Sequence, residues 1–162
     1  MDPVTLQHPF GPLFNEYSRV LILGSFPSVK SREQNFFYGH PQNRFWKVIS
    51  AIFSEDVPSS VEEKKALILS HSLALWDSIA SCTITGSSDA SIRDAKPNDL
   101  SIILNSAPIE RIYCNGKTSY DLYMKYIRPL TGRDAECLPS TSPANAAWSL
   151  ERLISAWSVI SV

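Results

Sequence analysis

Val20-Leu21-Ile22-Leu23-Gly24-Ser25-Phe26-Pro27-Ser28 is the stretch that decides the fold. Four consecutive apolar residues leave no polar face, so the run reads as a strand buried on both sides. It stops at a glycine and passes into small, aromatic and proline residues, the pattern of a strand opening into a loop. Leu73-Ala74-Leu75-Trp76-Asp77 repeats that pattern, Arg111-Ile112-Tyr113-Cys114 gives a third strand, and Ala135 to Leu138 gives a fourth. Helical segments alternate with them. Arg44 to Phe53 carries Phe45, Trp46, Ile49 and Ile52 at near-helical spacing. Ser60-Val61-Glu62-Glu63 has the form of a capping box, which predicts a helix to about His71. Asp99 to Asn105, Lys117 to Tyr126 and Asn145 to Trp157 complete the helices, while Ser25 to Asn43 and Ser81 to Asn98 read as loops. The alternation predicts an α/β fold whose parallel sheet is covered on both faces.

A chain of 162 residues fits one domain, here taken as residues 1–162. The apolar share of 44% and charged share of 19% are those of a soluble globular protein. The first residues lack the basic start and long apolar stretch of a secretory signal, and no run reaches membrane-spanning length. An intracellular, cytoplasmic protein is expected. Cys82, Cys114 and Cys137 are odd in number and form no CxxC pair. They are read as reduced, buried thiols, and no zinc, iron–sulfur or other metal site is expected. The net charge is −1, but Lys30, Arg32, Arg44 and Lys47 face Glu33 alone between Gly24 and Lys47, a locally basic strip.

In parallel α/β sheets, ligands sit beyond the carboxyl ends of the strands. The unusual residues gather in those loops. Gly24 and Ser25 allow close approach to the backbone, and Phe26 offers a flat apolar face. Phe36 and Phe37 read as cover for the sheet edge. His40 is suited to proton transfer. Asn43 either orients a water or caps the helix that follows. Asp77 either reads a ligand or caps a turn. Asn115-Gly116-Lys117-Thr118 is similar to the end of a P-loop, but Arg111 stands where that loop needs its first glycine, which excludes an ordinary NTPase. There is no Gly-x-Ser-x-Gly elbow. The residues alone reach as far as a polar, aromatic pocket for a planar ligand.

The loops taken together resemble the uracil-DNA glycosylase superfamily. Leu21 to Pro27 and Tyr38-Gly39-His40-Pro41-Gln42-Asn43-Arg44-Phe45-Trp46 look like its first motif region. Leu75-Trp76-Asp77, Pro97-Asn98-Asp99, Asn115-Gly116-Lys117 and Leu138 to Asn145 are similar to the deoxyinosine (hypoxanthine) branch. His8-Pro9-Phe10 also resembles an N-terminal feature of that branch, with no chemistry assigned to it. The resemblance implies a three-layer α/β/α sandwich with a short, mostly parallel four-stranded sheet. It implies a monofunctional enzyme that flips a deaminated base out of double-stranded DNA and hydrolyses it away with water, using no cofactor and no metal. Uracil-removing relatives carry Asp or Asn shortly after the first-motif glycine, whereas this chain has Ser25-Phe26-Pro27-Ser28.

The resemblance then assigns roles. Asn43 becomes the catalytic candidate that holds the water. Gly24, Ser25, Phe26, Tyr38, His40 and Asp77 form the base pocket. A carboxylate accepts only, so Asp77 suits the N1–H of hypoxanthine. Asn115, Gly116 and Lys117 would meet DNA, as would Ser140, Thr141, Ser142, Pro143 and Asn145, where hydroxyls can donate to phosphate. The expected partner is DNA holding a deaminated base, met by a monomer. A uracil- or mismatch-directed glycosylase, a non-catalytic lesion binder and a small-molecule-binding domain are the competing readings.

Overall fold

A computed structural model of the chain describes residues 3–85 and 91–161. Its strands are β1 (Val4–Gln7), β2 (Val20–Gly24), β3 (Leu73–Asp77), β4 (Ile79–Ile84), β5 (Arg93–Pro97), β6 (Arg111–Asn115) and β7 (Glu136–Leu138). Its helices are α1 (Val29–Gln34), α2 (Phe45–Ile52), α3 (Val61–Ser70), α4 (Ser101–Leu104), α5 (Lys117–Leu122), α6 (Arg128–Thr131) and α7 (Leu150–Trp157). A π-helical turn, Tyr123–Ile127, joins α5 to α6, so the expected helix from Lys117 continues past Tyr126.

The four expected strands form one parallel sheet in the order β3-β2-β6-β7. Every residue of β2 and β3 is buried, as their unbroken apolar runs require. Full burial of each Leu or Ile contributes roughly 1.5–3 kcal/mol. The chain leaves β2 toward β3 on one side and resumes at β6 on the other, so the strand order reverses between β2 and β6. Right-handed crossovers place α1 to α3 on one face of such a sheet and α4 to α6 on the opposite face. Packing against α2 puts α7 with the first group. Ligand crevices open at such a reversal, beyond the carboxyl ends of the strands.

Sequence and structure part in several places. The stretch from Ser81 to Asn98 is not a loop throughout. β4 and β5 pair there, and β1 joins them in a three-stranded antiparallel sheet of order β1-β4-β5. Ser and Thr among the apolar positions of β4, with register shifts against β5, blur the alternation that marks a strand. Residues 86–90 of that stretch lie outside the described residues. The expected loop after β2 contains α1, capped by the Ser28 hydroxyl, which accepts from the Ser31 amide. The last helix begins at Leu150, not near Asn145, because the Ser149 side chain caps it. The Ser60 hydroxyl caps α3 as expected, while the Glu63 carboxylate reaches the Ser59 amide and hydroxyl. Cys82 and Cys114 are buried and in no disulfide, but Cys137 is exposed on the edge strand β7. Among the described residues, no helix is long and apolar enough to cross a membrane.

Residues 3–17 carry more structure than their sequence suggests. After β1, Leu13 exchanges two backbone hydrogen bonds of 2.9 Å with Leu75, so this segment covers the free edge of β3. His8 lies between, its backbone N–H donating to the Ala80 carbonyl at 2.7 Å.

Candidate active site

A cavity of about 790 Å³ opens at the carboxyl ends of β2, β3, β6 and β7. It is lined by the Gly24–Ser28 turn, Phe37, Asp77, Asn43 and residues of the Ser140–Asn145 loop.

Asp77 ends β3 beside Gly24 in the parallel register, and only 6% of its side chain is exposed. Its Oδ2 accepts from His8 Nε2 at 2.7 Å. Its Oδ1 lies over Gly24, where any added Cβ would stand 2.3 Å away. Glycine is therefore required at this position by the carboxylate itself. Asn98 secures the strand end from below, donating from Nδ2 to the carbonyls of Asp77 at 2.8 Å and Ile79 at 3.2 Å. Asp77 is thus a fixed group in the cavity wall and no solvent-facing turn cap.

Phe26 is buried against Ile79, Cys82 and Ile84 and still lines the cavity. Phe36 stacks on Trp46 at 6.2 Å inside the core, whereas Phe37 reaches the cavity wall. Tyr38 adopts φ +52, an uncommon left-handed conformation for a residue with a bulky side chain. Its ring stacks on Phe45 at 3.9 Å and 18°, which holds it at the cavity.

Asn43 sits just before α2, and its amide is locked. Oδ1 accepts from the Phe45 backbone N–H at 2.9 Å and from the Thr141 hydroxyl at 2.8 Å. Thr141 in turn accepts from Asn115 Nδ2 at 3.0 Å, and its own N–H donates to Asn115 Oδ1 at 3.0 Å. Because the Phe45 N–H needs an acceptor, the oxygen of Asn43 must face it, which leaves Nδ2 as the donor that can serve a guest. Helix capping and a place in the cavity are therefore compatible for this residue.

That network corrects the reading of Thr141. It is 0% exposed and its hydroxyl hydrogen is committed to Asn43, so it orients the amide and offers nothing to a phosphate. Ser140 and Ser142 differ. Their hydroxyls accept from the amides of Ser142 and Ala144, which leaves each hydroxyl hydrogen to donate outward. Asn145 closes the loop by donating from Nδ2 to the Ser140 carbonyl at 3.0 Å. Gly116 has φ +94, and a Cβ there would meet Ser140 Cβ at 3.0 Å. Lys117 stands at the rim, 84% exposed and paired with Asp121 at 2.8 Å, which raises its pKa. Gly116, Pro143 and His40 do not line the cavity. His40 faces its own turn, with Nδ1 accepting from the Gln42 amide at 3.1 Å, and so is not brought to the cavity.

The basic strip also resolves differently. Arg44 points inward: Nη2 donates to the Ser142 and Asn145 carbonyls at 3.0 Å each, and Nη1 donates to the Trp148 carbonyl. It clamps the loop that its neighbour Asn43 reaches through Thr141. Lys30 pairs with Glu33 at 3.4 Å, and the Arg32 guanidinium lies 5.9 Å from the Phe26 ring. His8, Asn98 and Arg44 are therefore the site residues that sequence reasoning missed. Each lay in a stretch that resembles the family, His8-Pro9-Phe10, Pro97-Asn98-Asp99 and the Tyr38–Trp46 motif, but the contact of His8 with Asp77 spans 69 positions and cannot be read from spacing. Among the described residues, no three His, Cys, Asp or Glu side chains gather as a metal site needs.

The uracil DNA glycosylase superfamily model matches residues 12–160. Two proteins named hypoxanthine DNA glycosylase, from Methanosarcina acetivorans and Methanosarcina barkeri, are each 33% identical to the chain. Each match covers 91% of the chain and 93% of the relative. The solution NMR structure of a candidate uracil DNA glycosylase from Methanosarcina acetivorans superposes with a TM-score of 0.81. It is 29% identical, with 96% of both chains covered.

Proposed function

The chain belongs to the uracil DNA glycosylase superfamily, and from that premise we propose that it removes hypoxanthine from DNA, hydrolysing the bond from base to sugar and leaving an abasic site. The observation that carries the choice of hypoxanthine over adenine is Asp77, a buried carboxylate fixed in the cavity wall, and the likeness to two proteins named hypoxanthine DNA glycosylase favours that base over uracil. Deamination turns the adenine N1 from an acceptor into an N–H donor. A carboxylate oxygen can only accept, so it meets the damaged base and opposes the normal one.

The flipped base stacks on Phe26 with its N1–H on Asp77, and flipping is easiest for a mispaired base. The carbonyl beside N1 takes a donor from the main chain of the Gly24–Ser28 turn. Ser140 and Ser142 donate to the phosphates, and Lys117 adds charge at the rim. The glycosidic bond then breaks with its electron pair moving to the base. The negative charge of Asp77 works against that build-up, so Asp77 contributes recognition, and its charge, with the flanking phosphates, favours the cationic sugar. A water held by Asn43 Nδ2 adds to the sugar, and the proton it loses passes through solvent to the base anion, which leaves as neutral hypoxanthine. Because Nδ2 is a donor and not a base, turnover is modest. No metal takes part, and excision proceeds unchanged in excess chelator.

The test is a labelled duplex with one deoxyinosine beside a deoxyuridine duplex, incubated with excess protein and then cleaved at abasic sites with alkali. Cutting at inosine in preference to uracil supports the reading. Uracil also presents a ring N–H, so cutting mainly at uracil would make this a uracil enzyme of the same fold. Binding without cutting would make it a lesion binder.

A further inference from the structure

The second sheet has no part in the mechanism so far, yet it delivers His8 to Asp77. β1 pairs with β4, and the chain leaving β1 places the imidazole in a box of aromatic rings. Phe10 lies 4.5 Å from it, Phe26 5.9 Å and Phe37 6.5 Å. Only 3% of the His8 side chain is exposed. Its Nδ1 accepts from the Phe10 N–H at 3.4 Å, which places the ring hydrogen on Nε2, aimed at Asp77 Oδ2. Held at both nitrogens, the imidazole has one orientation.

We infer that His8 is a positioning residue for excision: its Nε2–H holds Asp77 Oδ2, which keeps Oδ1 in place over Gly24 for the flipped base. This rests on the reading of the cavity as a hypoxanthine pocket. Without His8 the carboxylate is free to turn, and its oxygen over Gly24 is no longer held at the base edge. Preorganisation of this kind counts most in a dry site.

The experiment is single-turnover excision from the deoxyinosine duplex by the wild-type protein, His8→Phe, His8→Gln, Asp77→Asn and the double variant His8→Phe with Asp77→Asn. His8→Phe keeps a ring but no donor, and loses about tenfold to a hundredfold in rate at saturating protein. Its half-saturating concentration stays within about twofold, because the phosphate contacts are untouched. His8→Gln keeps a donor and recovers most of the rate. The double variant gives the test that a packing role would not pass. With His8 present, an amide at position 77 turns its oxygen to Nε2–H and shows NH₂ to the base, so Asp77→Asn alone is severely impaired. Removing His8 as well frees the amide to turn, and the double variant excises faster than Asp77→Asn. A His8→Phe rate equal to wild type, or losses that multiply in the double variant, would overturn the inference. If His8→Phe lacks the wild-type near-ultraviolet circular dichroism, His8→Gln decides, and a loss as deep as that of Asp77→Asn overturns it. A wild-type protein that leaves hypoxanthine in place defeats the functional reading, and this inference with it.

Discussion

Thr141→Val isolates the link between the Ser140–Asn145 loop and the Asn43 amide that we propose holds the water. The two side chains are nearly the same shape, so packing is kept and one hydroxyl is lost. That hydroxyl donates to Asn43 Oδ1 at 2.8 Å and accepts from Asn115 Nδ2 at 3.0 Å, and Thr141 is 0% exposed. Two hydrogen bonds at roughly 0.5–1.5 kcal/mol each are removed, and no water can replace the hydroxyl there. We expect a loss of about 2 kcal/mol, which lowers Tm by roughly 4–8 °C in a chain of this length. The Asn43 amide would keep only the Phe45 N–H and gain freedom to rotate. Single-turnover excision should fall about tenfold or more, while binding to a deoxyinosine duplex changes little. Thr141→Ser keeps the hydroxyl and should retain excision despite some loss of packing. Calorimetry and the alkali-cleavage assay read both effects. A valine variant with wild-type Tm and wild-type excision would refute the argument that Thr141 orients Asn43, and a serine variant as slow as the valine one would show that the methyl group matters and the relay does not.

Asn43→Ala removes the cap on the Phe45 amide as well as the proposed water-holding group, so it should cost about 1 kcal/mol of stability and nearly all excision, measured by denaturant titration and single-turnover kinetics. Gly24→Ala puts a methyl 2.3 Å from Asp77 Oδ1 and must displace the carboxylate, so excision should drop at least about tenfold in a protein that still folds; unchanged excision would show that Oδ1 is not where the base is read. Burial pushes the Cys114 thiol up to about 12, leaving almost none of it as thiolate near neutral pH, and Cys82 is also buried. Native protein should therefore react with a maleimide at Cys137 alone. The Cys137 pKa is itself raised, so that reaction speeds up as the pH climbs above that of an ordinary thiol, with mass spectrometry giving the site and denaturant exposing the other two.

Much of this protein is written locally. The unbroken apolar runs of β2 and β3 fix strands that must be buried on both faces, and the alternation with helices fixes a parallel sheet and the edge at which a site can form. Gly24, Phe26, Asp77 and Asn43 stand in that edge because strand ends and loops are legible from neighbouring residues. Three-dimensional closure decided the rest. β4 and β5 are strands through pairing with each other and with β1, because Ser, Thr and charged residues supply no hydrophobic period to read. Thr141 and Ser142 look alike in sequence. One is sealed between Asn43 and Asn115 while the other turns its hydroxyl outward, a difference that depends on which loop packs over it. His40 and His8 show the same limit. Only the histidine far from the motif meets Asp77, because a hydrogen bond requires a separation of about 3 Å in space and is indifferent to the 69 residues between its partners along the chain.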